Sequence, residues 1–449
     1  MSKQKIQLSD HFDYSRLIRF VLPCIGTMLF TSIYGIVDGL CVSNFVGKTA
    51  FAAVNLIMPL PMLLGTIGFM LGTGGSAIVG ITLGEGDQKK ADRYFTLFLL
   101  AALVSVSVLA VLGIVFLRPI AVLLGAKGEL LDYAVRYGRI LMVSLPTFAL
   151  QNMFQSFFVT AEKPHLGFWF TVGAGCTNMV LDVLMVGIWG WGVEGAAIAT
   201  FISQLVGGVL PVFYFIDRSN SSRLHLCKTS FYSKVLRDAC INGSSELMTN
   251  LSMSLVNILY NFQLLRLAGE NGVAAYGVIM YAAFLFVAVF VGYAVGSAPI
   301  VSFHYGARNH AEVHNLYQKS LRLIAVVAVT LTLASMFIIP CVARIFVGYD
   351  AELLALTSRA FRLYALSFLI MGFNVYASSF FTALGDGVTS ALISFLRTLV
   401  FQLAALLLLP ALWGIDGVWL AVTAAELAAL AVTVYMFVTK DQKFHYRHG

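Results

Sequence analysis

Charge is scarce in this chain. Of its 449 residues only 11% are Asp, Glu, Lys or Arg, where a soluble globular protein carries roughly 25%. No Walker A sequence is present, so the chain does not bind ATP as an energy source through that motif. No GxSxG occurs, and the stretches between apolar runs are too short for a soluble catalytic domain. No basic patch with interleaved aromatics extends beyond the stretches that flank apolar runs, so no nucleic-acid partner is expected. The six cysteines (Cys24, Cys41, Cys176, Cys227, Cys240 and Cys341) have no metal-ligand spacing and read as small apolar fillers. The first apolar run is too long for a signal peptide and no small-residue cleavage site follows it.

Hydrophobic sequence is what the chain has in excess. Hydrophobic residues make up 59% of it, and its mean hydropathy is +0.85. The apolar residues fall into runs near 17–46, 50–82, 94–117, 140–160, 166–188, 193–216, 239–265, 273–303, 321–342, 361–383, 388–410 and 416–438. Each has at least the roughly 20 residues a membrane-spanning helix needs, and several are long enough to tilt or bend. The expectation is an all-α integral membrane protein with twelve transmembrane helices. Pro23, Pro59, Pro61, Pro146 and Pro299 fall inside the runs and are candidates for bends.

Lys and Arg set the orientation. Numbering the loops alternately, nineteen of the 29 basic residues fall on the side of the N-terminus. Positive residues stay inside, so both termini are expected in the cytoplasm. The net charge of +7 is then a topology signal.

Shifted by 222 residues, the sequence meets itself. Gly47 falls on Gly269, Ala52-Ala53 on Ala274-Ala275, Met58 on Met280, Gly84 on Gly306, Asn152 on Asn374 and Thr160-Ala161 on Thr382-Ala383. WGVEGAAIA at 191–199 aligns with WGIDGVWLA at 413–421. A pair of glycines spaced for close helix contact, Gly68 and Gly72, recurs as Gly292 and Gly296 with a slip of two residues. Two copies of a six-helix unit enter the membrane in the same orientation. They should form two bundles related by a pseudo-two-fold axis along the membrane normal, with a substrate path between them. The expected division is a first lobe over 1–216, a cytoplasmic linker over 217–237 and a second lobe over 238–449. Two motifs carry no function in this reading: GTGGSA at 72–77 lies inside an apolar run with no preceding strand, and HAEVH at 310–314 reads as a solvated loop.

Two acids sit inside apolar runs. Asp38 lies in the first and Asp182 in the fifth, each near the outer end, with Asp38 roughly 12 Å deep. A carboxylate in hydrocarbon costs about 3 kcal/mol, so it is rarely idle. Asn178 shares a helix face with Asp182, and Thr200 in the sixth run falls at similar depth. Hard oxygens suit Na⁺, and two neighbouring carboxylates also suit a shared proton. The other reading is a hydrogen-bonded structural cluster.

VDGLCVSNFVG (37–47), AAVNLIMP (52–59), GTGGSAIVGITLGEGD (72–87), CTNMVLDVLMV (176–186), WGVEGAAIAT (191–200) and YGARN (305–309) together resemble the multidrug and toxic compound extrusion (MATE) transporters, of the bacterial DinF-type branch, over nearly all of 14–438. The resemblance implies a cation-coupling site at Asp38, Asn178, Asp182 and Thr200, with the main-chain carbonyl of Ala196 as a further ligand. It implies export of small-molecule drugs or toxic organic cations in exchange for H⁺ or Na⁺. The expected setting is the bacterial cytoplasmic membrane, as a monomer among membrane lipids, with no cofactor beyond the coupling ion and no other metal. A lipid-linked sugar flippase and a lipid-modifying membrane enzyme are the alternative functions.

The second half departs from the pattern. Asp38 maps to Tyr260, Asn178 to Val400 and Asp182 to Ala404. This half carries Glu246, Arg397 and Glu426 inside its runs instead, a second polar site in which Glu246 and Arg397 are placed to pair. Met28, Met58, Met153, Met253 and Met280 are candidates for a deformable cavity lining.

Overall fold

A backbone crossing hydrocarbon must satisfy its own N–H and C=O groups, which leaves helices for apolar runs of this length. The computed structural model describes residues 6–46, 48–348 and 350–446, and within them all regular structure is helical. Gly47, used above for the repeat, and Lys3, Lys5 and Arg447, three of the nineteen basic residues counted on the N-terminal side, lie outside the described residues, as do the side chains of Cys41 and Lys48.

All twelve runs are helical. The first lobe holds α1 (Tyr14–Phe45), α2 (Lys48–Ile57, continued by Pro59–Gly84), α3 (Gln88–Leu123) and α4 (Gly128–Thr160). It is completed by α5 (Pro164–Leu181, ending in a π-turn, Asp182–Ile188) and α6 (Gly192–Gly208, continued by Leu210–Ile216). The second lobe holds α7 (244–268) and α8 (270–306), then α9 (His310–Val347) and α10 (Ala351–Ala365 and Phe368–Ala383, bent by 47°). It closes with α11 (Gly387–Phe395, a π-turn over Leu396–Val400, then Phe401–Trp413) and α12 (Ile415–Thr439). Of the prolines expected to bend helices, only Pro59 stands at a break; Pro23, Pro146 and Pro299 stay inside continuous helices. α4 begins twelve residues before its apolar run, because GELLDYAVRYGR is an amphipathic extension rather than a loop.

Between α7 and α8 the chain reverses at Gly269, which has φ 62° and ψ −149°. The reversal is visible in the side chains: Tyr260 stacks on Tyr276 at 4.9 Å, and the Tyr276 hydroxyl donates to Asn257 Oδ1 at 2.6 Å. This backbone region is open essentially to glycine alone. Gly269→Ala is therefore expected to lower stability by about 1–3 kcal/mol. Gly277→Ala, at a helical position with nothing within 4 Å, should be neutral or stabilising by up to about 1 kcal/mol. Denaturation in detergent would test this, and equal behaviour of the two variants would contradict it.

The repeat is written into the turns. Gly192 and Gly414, 222 apart, have φ 59° and 57°, and Gly86 and Arg308, also 222 apart, have φ 86° and 56°. The slipped glycine pairs behave otherwise. A slip of two residues rotates a position about 200° around a helix. Gly68 and Gly72 accordingly face Ala149 and Met153 of α4 within the first lobe, while Gly292 and Gly296 face Val21, Cys24 and Ile25 of α1.

The apolar packing is divided unevenly. One large core runs through both lobes at the end where the termini lie, from Leu8, Phe12, Phe20 and Leu83 to Ile300, Phe303, Phe381 and Tyr446. At the opposite end the lobes keep separate cores. One is built on Ala53, Ile57, Tyr137 and Ala196, and the other on Tyr260, Tyr276, Phe361 and Trp419. The lobes are thus joined at the terminal side and apart at the other. The seam between them is close: Gly84 lies against the Phe303 and Ala307 backbone and Gly306 against the Ile81 backbone, with no room for a side chain at either glycine, and Gly80 lies against the Ser302 side chain.

The linker is not a free loop. Leu224 is fully buried, the Leu226 N–H donates to the Phe215 carbonyl at 2.8 Å, and the His225 N–H donates to Asp92 Oδ1 at 3.0 Å. A short helix, Ser233–Asn242, straddles the expected boundary at 237/238. The cysteines are less uniform than expected: Cys24 is buried, but Cys176 and Cys341 are exposed and fill no core.

Candidate cation site

Asp38 and Asp182 come together. The chain places them by two different devices: Asp38 lies two turns before the far end of a continuous α1, and Asp182 opens the π-turn that ends α5. A π-turn inserts a residue into the helical register and is enriched at functional sites. Here the Asp182 N–H reaches back to the Asn178 and Met179 carbonyls, and the Trp189 N–H bonds to the Leu184 carbonyl at 2.8 Å. The two carboxyl groups interact directly with each other. Asp182 is fully buried and Asn178 is 2% exposed.

What the surrounding protein withholds is informative. Asp38 Oδ1, both Asp182 carboxyl oxygens and Asn178 Oδ1 are buried and receive no hydrogen bond from any described residue. Four hard oxygens in one place are a donor set for a proton or an alkali cation. Thr200 and Ala196 are neighbours one turn apart on α6: the Thr200 hydroxyl donates to the Ala196 carbonyl at 3.0 Å. In this arrangement Thr200 offers an oxygen lone pair, and the Ala196 carbonyl already has a donor. The α6 helix packs against the π-turn, with Gly195 facing the Met185 backbone.

Tyr137 of α4 is part of the same group and escaped the sequence reading. It is 1% exposed, and both Asp38 and Asp182 act on it. Tyr34, one turn before Asp38 on α1, also feels Asp38. Tyr137 lies in the amphipathic start of α4, outside the apolar run, so depth counted from the run placed it in a loop.

The second lobe builds a different cluster. Tyr260 occupies the position of Asp38 and is enclosed with Tyr276 and Tyr364. Arg397 stands in the π-turn of α11. Its ion-pair partner is Glu426 of α12, 3.8 Å away, and not Glu246 as expected. Asn374 Nδ2 donates to Glu426 Oε2 at 2.7 Å, and the Thr433 hydroxyl donates to Asn374 Oδ1 at 2.8 Å. Glu246 acts on Arg397 only through its charge. α7 begins at 244, so Glu246 sits in its first turn. Of the methionines proposed for a cavity, Met153 is fully buried against Gly72 and Met253 is 42% exposed. Met28 lines a small void with Cys24, Thr27 and Gln155.

Two parallel six-helix lobes, joined at one end and parted at the other, with a buried acid pair inside the first lobe, are the architecture of a multi-pass membrane transporter. The chain belongs to the MatE family, whose model matches residues 23–184 and 247–406, one block in each lobe. It is 21% identical over 433 residues to the multidrug export protein MepA of Staphylococcus saprophyticus, covering 96% of this chain and 94% of that protein. MepA of Staphylococcus aureus is likewise 21% identical, over 431 residues, with 96% and 94% covered. A crystal structure of MATE in complex with MaL6 superposes with a TM-score of 0.91 at 23% identity, covering 98% of this chain and 100% of the other. An outward-facing multidrug resistance MATE family transporter superposes with a TM-score of 0.91 at 23% identity over 99% of both chains.

Proposed function

We propose that this chain is a secondary active multidrug efflux antiporter of the bacterial cytoplasmic membrane, with both termini in the cytoplasm. It exports amphipathic or cationic compounds in exchange for H⁺ or Na⁺. The observation that carries the reading is the facing Asp38–Asp182 pair, whose three buried oxygens, with Asn178 Oδ1 as a fourth, no described protein group satisfies. Two carboxylates side by side in a low-dielectric interior need a cation between them. A pair that must take up a cation is a way to couple ion entry to drug exit. The uneven division of the core supports alternating access: the lobes share packing on the cytoplasmic side and part on the outer side. With the lobes in this position the path between them faces outward, and the ion reaches the pair from outside. Taking up the ion removes repulsion within the first lobe and lets α1 and the π-turn repack. The names of the MepA relatives support drugs as the cargo.

Proteoliposomes containing only this protein test the reading. An imposed proton or sodium gradient should drive uptake of a fluorescent organic cation into everted vesicles. One monovalent cation exchanged for one proton moves no net charge, so this exchange should follow ΔpH and ignore voltage, and a protonophore should stop it. Export driven by Na⁺ at constant pH would assign the pair to sodium. Movement of lipid-linked sugar with no drug flux would favour the flippase and overturn the multidrug reading.

A further inference from the structure

The HAEVH sequence at 310–314 is not the solvated loop expected of it. It forms the first turn of α9, with Asn309 as N-cap, and its Glu312 is 6% exposed. What buries it is the stretch of chain that precedes α1. Residues 6–13 lie across the terminal side of the seam and are tied to both lobes. The Leu8 N–H donates to Glu162 Oε1 at 2.9 Å, in the turn between α4 and α5. Four residues on, the Phe12 N–H donates to Glu312 Oε1 at 2.9 Å, and His11 Nδ1 lies 2.6 Å from Glu312 Oε2. The Phe12 carbonyl accepts from Asn315 Nδ2 at 3.0 Å and from Lys319 Nζ at 2.7 Å. The side chains of Leu8 and Phe12 are both fully buried in the shared core, and the Phe12 ring stands edge-on to His304 of α8.

Glu162 is held as firmly as Glu312. Its backbone is in the left-handed region, φ 60°. Its Oε1 also accepts from Arg223 Nη1 at 2.5 Å, and that guanidinium lies 4.9 Å over the Phe303 ring of α8. The segment therefore grips one carboxylate in each lobe, with a buried apolar side chain beside each grip.

We propose that residues 6–12 are a latch that holds the lobes together on the terminal side, with Glu312 as its keeper. The seam beneath it combines glycines packed on facing helices with the large apolar core that both lobes share, and the latch adds directed hydrogen bonds across it. The two lobes cannot part there while Leu8 stays on Glu162 and Phe12 stays on Glu312. The Glu312 end has more bonds, and the segment continues directly into α1 of the first lobe. Release therefore means Phe12 leaving Glu312, Asn315 and Lys319, with the segment travelling with α1. The proposal rests on the alternating-access reading, because a latch matters only if the lobes part on this side during transport.

Spin labels at Lys89 in the first lobe and Gln442 beside the second, in a background with the native cysteines replaced, report the gap across the seam. The otherwise unaltered protein should give one short distance. Glu312→Gln keeps the shape of the side chain but weakens its bonds. It should add a longer-distance population at least about threefold above that background, and Phe12→Ala should add more. Glu162→Gln supplies a second variant at the other end should Phe12→Ala fold poorly. A cysteine pair at Phe12 and Asn315 should stop transport when oxidised and restore it when reduced. A distance distribution that Glu312→Gln and Glu162→Gln leave unchanged, while drug or low pH still lengthens it, overturns the latch and leaves alternating access standing. A distribution that nothing lengthens overturns both.

Discussion

Asp182→Asn is expected to abolish ion-driven export while the protein inserts, folds and purifies normally. The amide has the shape of the acid, and apart from Asp38 no described residue bonds the side chain it replaces, so little packing is lost. What goes is the ability to take a proton or neutralise a cation. One charge crossing 100 mV is worth about 2.3 kcal/mol, enough for roughly a fifty-fold concentration ratio. The variant should let drug equilibrate without building such a ratio, and its flux should no longer respond to external pH. Asp38→Asn should match it, because each carboxylate works through the other. Steady-state accumulation in proteoliposomes measures this, and near-normal gradients in both variants would remove the pair from the mechanism.

Arg397→Ala is expected to have the largest effect on stability. Its side chain and that of Glu426 are 15% and 7% exposed, and Glu246 adds a second negative charge nearby. Removing the guanidinium leaves both acids in the bundle without a counter-charge, which costs about 3–5 kcal/mol for a buried pair. Glu426→Gln should cost less, because the hydrogen bond from Asn374 can survive on the amide oxygen. Glu246→Gln should be milder still, since Glu246 makes no ion pair with Arg397. Thermal denaturation in detergent orders the three, and an Arg397→Ala protein as stable as Glu246→Gln would contradict the network.

Much of this was legible because hydrocarbon imposes few solutions. Apolar length gave twelve helices, the 222-residue offset gave the paired lobes, and an acid inside an apolar run drew attention to Asp38 and Asp182. The losses have a common cause. Apolar length marks where the hydrocarbon is, not where a helix stops. α4 runs twelve residues beyond its apolar run, so Tyr137 was placed in a loop although it stands beside the acid pair. HAEVH has a polar composition, so its helical turn and the buried Glu312 were missed. α7 starts later than its run because Gly243 separates it from the linker helix. Counting depth from the run, across that break, gave Arg397 the wrong partner. Glu426 lies on α12, the helix that follows Arg397's, and its pairing with Arg397 is seen only in three dimensions.

The seam has one more property. Gly80 meets Ser302, and those two positions are the same position in the two repeats; Gly84 and Gly306, also repeat mates, each rest on the helix of the other. A residue that meets its own counterpart is the mark of an isologous contact, as in a two-fold homodimer. The six-helix unit thus carries its own complement on its surface. Two separate copies would already have had the seam to meet across, and joining them into one chain required only a linker that lies along the first copy.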